Sequence, residues 1–251
     1  GSYRVRVTGY NQRGNDIRLD IPNLALASTG VHTLILTGTD GGVLLNGITL
    51  VQKGDVAPVL NTQARVRGVV ALNSGSSVSG SINGQAIVPA SVTPALGDYV
   101  AVTAGSATAQ FAFNGATLTS PAKTLVAGND YTLLVWGDPA NPQYTWNADS
   151  NRLATSTGNA KIRLLNGMGT AAGPLNMSVD FGAVASSVAP GAISEFKEIT
   201  ASNSAFLEVT KPGTVEPLYS RSPLTFLPLA NYTVFVMPGA TGPVTTLRKE
   251  R

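Results

Sequence analysis

Apolar residues along this chain recur at every second position in short runs, and Gly, Pro, Asn or Asp closes almost every run. Period-two alternation is what a half-buried strand requires, because successive side chains point to opposite faces. The 3.6-residue period of an amphipathic helix is almost absent. One run is written three times: Val31-His-Thr-Leu-Ile-Leu-Thr-Gly38, Asp130-Tyr-Thr-Leu-Leu-Val-Trp-Gly137 and Asn231-Tyr-Thr-Val-Phe-Val-Met-Pro-Gly239. Its threonines, Thr33, Thr132 and Thr233, are spaced by 99 residues and then by 101. Solenoid repeats run roughly 20–50 residues, so this period predicts small domains that each close their own core.

Two complete repeats can be laid side by side. Ala64-Arg-Val-Arg67 answers Ala160-Lys-Ile-Arg163, and Val78-Ser-Gly-Ser-Ile-Asn-Gly84 answers Leu175-Asn-Met-Ser-Val-Asp-Phe-Gly182. Asn83-Gly84 predicts a tight hairpin, since a primed turn needs positive φ at both central residues; Asp180-Phe181-Gly182 is a looser version. Further matched runs start at Asp98 and Ser194, at Ala107 and Ser204, and at Thr124 and Leu224. Each repeat then holds about seven strands, an immunoglobulin-like count. The expected fold is all-β: tandem antiparallel immunoglobulin-like β-sandwich domains arranged in a row, leaving no shared cleft for catalysis.

The divisions expected are residues 1–62, 63–158 and 159–251. The first is a partial repeat, the C-terminal half of a sandwich. Tyr3 to Val7 aligns with the fifth strand, Leu24 to Gly38 with the sixth and seventh, and Gly41 to Leu60 with the connector that follows. A half-sandwich exposes an apolar sheet face or an unpaired edge, where another strand could dock.

The order of an Ala-Arg-Val-Arg start, an Ile-Asn-Gly hairpin and a Gly-Asx-Tyr-Thr-Leu strand resembles the bacterial domain of unknown function 4397 family, across both full repeats and the partial one. The resemblance implies tandem sandwiches in a cell-envelope protein, often a lipoprotein, and it offers no catalytic residues. Val78-Ser-Gly-Ser departs from the alternating Asp-Val-Tyr-Val strand that members usually show.

Composition narrows the function classes. Charged residues make up only 12% of the 251 residues, well under the usual ~25%. Polarity comes instead from Ser, Thr, Asn and 27 Gly, a composition associated with secreted and envelope proteins. The net charge is +3, without the dense basic patch that phosphate neutralisation demands, so nucleic acid is not an expected partner. The cations Arg4/Arg6, Arg65/Arg67 and Lys161/Arg163 alternate with apolar residues and so share a strand face, for which a solvated outer surface is the simpler reading. The absence of cysteine removes disulfides, thiolate zinc sites and thiol nucleophiles. No run approaches the ~20 apolar residues of a membrane helix. Gly1-Ser2 reads as the remnant of a tag, so a natural leader is expected to have been cut away, and a lipid anchor, if any, would have left with it.

Candidate chemistry is sparse. His32 is the sole histidine; it stands where the sister strands carry Tyr131 and Tyr232, which marks a structural slot more than a catalytic base. Asn147, Asp149 and Asn151 have the alternation of a calcium loop, but Arg152 and Gly158 occupy the places of its glycine and glutamate. An Asx-rich turn satisfying its own backbone is expected there, and no metal site. No carboxylate pair or phosphate loop stands out. Trp136, Tyr144 and Trp146 hold both tryptophans of the chain within eleven residues. They are the best ligand-binding candidates, as an aromatic platform around the loop from Gly137 to Asn141, with packing between the second and third domains as the competing reading.

These observations lead to the expectation of a non-enzymatic envelope or secreted module without cofactors, spacing another element or binding a protein. The alternative is a carbohydrate-binding surface module. The expected location is extracytoplasmic: envelope, periplasm, surface lipoprotein or secreted. Partners would be protein or glycan at the cell surface, with membrane association only through a removed lipid anchor.

Overall fold

A computed structural model describes residues 1–9, 16–72 and 75–251. The chain is all-β, and a 3₁₀ turn at Thr170–Ala172 interrupts the strands. Its first part consists of β1 (Ser2–Thr8), β2 (Ile17–Ala25), β3 (His32–Gly38), β4 (Leu45–Val51) and β5 (Val56–Val59). β1 and β2 form a hairpin, and β3, β4 and β5 form a second, antiparallel sheet. Gly41 to Leu60, expected as a connector, therefore carries two strands.

A complete sandwich follows. Its strands are β6 (Gln63–Ala71), β7 (Ser77–Ile82), β8 (Gln85–Val92), β9 (Ala95–Leu96), β10 (Val100–Thr103) and β11 (Gly105–Ala107). They continue with β12 (Ala109–Phe113), β13 (Ala116–Thr119), β14 (Lys123–Leu125), β15 (Asp130–Asp138) and β16 (Asn141–Asp149). One sheet runs β10-β6-β15-β16 and the other β13-β12-β7-β8. Between them lie Val66, Val70, Ile87, Phe111 and Leu133, all essentially inaccessible. Removing such apolar area from water stabilises the fold by roughly 25 cal/mol per Å².

The last sandwich repeats the plan with β17 (Asn159–Asn166), β18 (Leu175–Val179), β19 (Gly182–Val188) and β20 (Lys197–Thr200). It closes with β21 (Ser202–Thr210), β22 (Tyr219–Phe226), β23 (Asn231–Pro238) and β24 (Pro243–Lys249). Its sheets are β20-β17-β23-β24 and β19-β18-β21-β22, around Ile162, Leu164, Met177, Leu207, Phe226 and Val234. The expected hairpins sit where the turn chemistry placed them. Asn83 and Gly84 both have positive φ, 48° and 76°, and so do Asp180 and Phe181, 48° and 65°.

Two features depart from the antiparallel row expected. The first strand of each complete sandwich pairs in parallel with the recurring strand: β6 beside β15, and β17 beside β23. The two sandwiches also do not sit end to end. The outer faces of their parallel-containing sheets pack on each other through Val69, Ala71 and Leu134 of one and Leu165, Phe235 and Met237 of the other. Both recurring strands are thus buried on both sides, while β3 is largely exposed.

The half-sandwich docks through its β3–β4 turn. Thr39 Oγ1 donates to the carbonyl of Gly128 at 2.7 Å, Gly41 N donates to the same oxygen, and Asn151 N donates to Gly41 O. Glycine is required at Gly41 and Gly42: a Cβ would lie 2.6 Å from Asp130 N and 2.4 Å from Arg152 N respectively.

Candidate functional site: a reciprocal charge network between sandwiches

Alternation on β6 puts Arg65, Arg67 and Val69 on the face turned away from their own core, and β17 does the same for Lys161, Arg163 and Leu165. That face meets the sister sheet, so Arg67 and Arg163 are not solvated: their side chains are 1% and 2% exposed. Each reaches across to the acid at the C-terminal end of the last strand of the other sandwich. Arg67 Nη1 donates to both Glu250 oxygens at 2.7 and 2.6 Å, and Arg163 Nη1 donates to Asp149 Oδ1 at 2.6 Å. Within its own sheet, each arginine Nε donates to the recurring threonine, Arg67 to Thr132 and Arg163 to Thr233. The two halves are related as in a two-fold contact between identical subunits, residue for corresponding residue.

Aromatic rings cover the guanidinium faces. Arg67 stacks over Tyr99 at 4.5 Å and over Phe235 at 4.9 Å; Arg163 stacks over Phe196 at 4.4 Å. Asp149 also accepts from the hydroxyls of Thr132 and Tyr99 at 2.6 and 2.7 Å. Burial by itself would push the Asp149 carboxyl up, but Arg163, Arg67 and Thr132 together hold it below the ordinary carboxylate value. Burial pushes the Tyr99 hydroxyl well up, against the pull of Arg67. Arg65 forms a bidentate pair with Asp130, whose carboxyl burial raises while Arg65 and Asn151 pull it back. Chemically the network neutralises itself: its donors face its own acceptors, with Nη2 of each buried arginine and Oδ1 of Asn151 lacking a partner among the described residues.

A cleft of about 540 Å³ opens where the three parts meet, bordered by Arg18, Arg65, Arg67, Arg248, Glu250 and Arg251 among others. Juxtaposition of the three parts creates it. Arg18 is paired with Asp16, Arg248 with Asp98, and Arg251 donates to the carbonyls of Gly42 and Asn151.

The expected calcium-like turn is part of this network. Asp149 ends β16 and is consumed by Arg163, Thr132, Tyr99 and Asn147, and Asn151 donates to Asp130. It is a tertiary hub where an Asx turn serving its own backbone was expected. His32 accepts from Ala27 N at 3.2 Å, as the Tyr131 and Tyr232 hydroxyls accept from Val126 N and Leu227 N. The offset is five residues in all three, so His32 fills the slot of a tyrosine corner.

The three aromatic candidates do not share one surface. β15 and β16 pair Trp136 with Gln143, Val135 with Tyr144 and Leu133 with Trp146, and directly opposed residues lie on one face. Tyr144 and Trp146 therefore lie on the inner face, half-buried against the sandwich core, with Trp146 edge-on to Tyr131 at 6.5 Å. Trp136 lies on the outer face in the contact between sandwiches, against Gly191. An expected loop after β15 is in fact a hairpin, and its parity separates the rings. Arg67, Arg163, Asp149 and Glu250 escaped notice as a set, although each member of one pair recurs in the other repeat beside the recurring threonine.

Comparison with curated proteins gives no match. Two crystal structures of candidate cell adhesion proteins are among those that align. One, from Bacteroides uniformis, is 14% identical, with a TM-score of 0.27 and coverage of 51% of this chain and 70% of the other. The second, from Bacteroides fragilis, is 10% identical, with a TM-score of 0.21 and coverage of 75% and 98%. Residues 64–177, which run from the first strand of the complete sandwich into β18 of the last, match the model of the domain of unknown function DUF4397, the family that the motifs resemble.

Proposed function

We propose that the chain is a non-catalytic, extracytoplasmic repeat module that acts as a spacer or protein-binding element of a cell envelope. One observation carries this reading: the reciprocal Arg67–Glu250 and Arg163–Asp149 closure, which joins two sandwiches into a single body and uses their buried charges for cohesion. The hydroxyl-rich, charge-poor composition favours the extracytoplasmic location. Among the described residues no helix is long and apolar enough to cross a membrane; in this reading a lipid anchor, if any, is the only membrane attachment. The test is turnover. Purified chain offered panels of ester, glycoside and peptide substrates is expected to convert none. Conversion that a single substitution bordering the 540 Å³ cleft abolishes would overturn the reading.

The carbohydrate alternative would rest on Tyr144 and Trp146 alone, since Trp136 lies on the other face. Their rings lean on the core, which leaves little free π-face for a sugar. Polysaccharide titration is expected to leave tryptophan emission unchanged.

A further inference from the structure

Among the described residues β3 pairs with β4 alone, and its other edge is open. In the complete sandwiches the corresponding edge of the recurring strand is always taken, by β6 on β15 and by β17 on β23, both in parallel. The consequences show at single residues. Leu36 is 44% exposed, where its counterparts Val135 and Val236 are fully buried; Ile35 is 44% exposed, where Leu134 and Phe235 are fully buried. Behind this edge, an apolar pocket of about 250 Å³ lies between the β1–β2 hairpin and the β3–β4 sheet, bordered by Val5, Leu24, Leu34 and Val51. In the last sandwich Ile162 and Leu164 of β17 reach into the equivalent layer.

From this we infer that β3 is an acceptor edge for an added strand of the repeat's own first-strand type, running parallel to it, and that this is the partner class of the module. The sister registers specify the segment. Arg67 stands opposite Thr132, and Arg163 opposite Thr233, so an arginine is required opposite Thr33. An apolar residue precedes it (Val66, Ile162), opposite His32, and apolar residues stand opposite Ile35 (Val69, Leu165). Thr33 is exposed and carries the hydroxyl that in both sister strands accepts the arginine Nε. Backbone hydrogen bonds along an open edge supply affinity, and alternate side-chain pockets supply selectivity. Residues 63–71 and 159–166 of a second copy are locked inside their own sandwiches, so a second copy is not the source; the donor is a strand of this type carried on a different polypeptide.

The inference rests on the module reading. A synthetic peptide of residues 158–167 is titrated into the intact chain and followed by amide NMR. Saturable binding is expected, with shifts and exchange protection confined to β3 and the pocket residues. An Arg163→Ala peptide is expected to bind about fivefold more weakly, and Thr33→Ala chain to lose the same factor without adding to it, since both remove one hydrogen bond. Thr33 is at the surface, so that variant keeps its fold; Leu36→Asp should weaken binding at least tenfold. Equal binding of a scrambled peptide, shifts elsewhere, no binding, or self-association of the chain through β3 would overturn the inference. None of these outcomes touches the module reading, which falls only on turnover.

Discussion

At the residue scale, the same chemistry solves two different problems. An arginine on a strand is ordinarily a surface residue, yet Arg67 and Arg163 are among the largest fully buried side chains. Each is tolerated because a carboxylate, a threonine hydroxyl and aromatic faces replace its water. Removing one member of a buried pair strands the other, at a cost of about 3–5 kcal/mol, whereas replacing both by apolar residues is close to neutral. Arg163→Met is therefore expected to lower stability to urea by about 3–5 kcal/mol, and Arg163→Met with Asp149→Leu to recover most of it. The second problem is the backbone N–H that precedes each recurring strand. Tyr232→Phe would leave Leu227 N without its acceptor, for an expected loss of about 1–3 kcal/mol in thermal or urea unfolding.

At the element scale, turns and strand faces differ in how plainly they are written. Asn83-Gly84 announces its hairpin because few residues tolerate two successive positive φ angles. β16 and β24 went unread because prolines stand at Pro142 and Pro243 and polar residues dominate the rest. Both are edge strands, where proline is permitted. The alternation Gln143-Tyr-Thr-Trp-Asn147 was the available sign, and it also separates Trp136 from Trp146. Close approach of the two sandwiches is visible at Gly191, where φ is 73° and a Cβ would lie 2.0 Å from the Trp136 ring. Gly213 has a similar φ of 78° with open space around it. Gly191→Ala is expected to displace the indole, shift Trp136 emission and destabilise the protein more than Gly213→Ala. The difference between the two isolates the contact from backbone strain; equal effects would remove the contact from the explanation.

At the scale of the whole molecule, the reciprocal contact predicts that both complete sandwiches unfold in one transition, since each needs the other's carboxylate. Acid should weaken this union. Asp149 has a folded pKa below its ordinary 3.8, and Glu198, held by Asn159 and Thr155, lies at about 2 against 4.5. A depressed carboxyl contributes stability that is complete above the unfolded value and is lost as pH falls through the folded one. Asp130, raised by burial, acts in the opposite sense and offsets part of the loss. Urea midpoints are expected to change little from pH 7 to pH 5 and to fall below about pH 4, with the transition splitting in two once Asp149 is protonated.

Hairpin positions, repeat length and the tyrosine-like role of His32 are local properties, carried by alternation, turn residues and the position of one side chain within a recurring run. A chain read residue by residue therefore declares them. Whether an outward-facing arginine meets water or another sheet depends on which faces come together, and alternation is the same in both cases. Only tertiary packing decided that Arg67 and Arg163 are buried, that the first strands add in parallel, that the sandwiches lie face to face, and that, of the three recurring strands, β3 has its first-strand edge open among the described residues. Those outcomes follow from pairings such as Arg67 with Glu250, Arg163 with Asp149 and β6 with β15, which no local periodicity reaches.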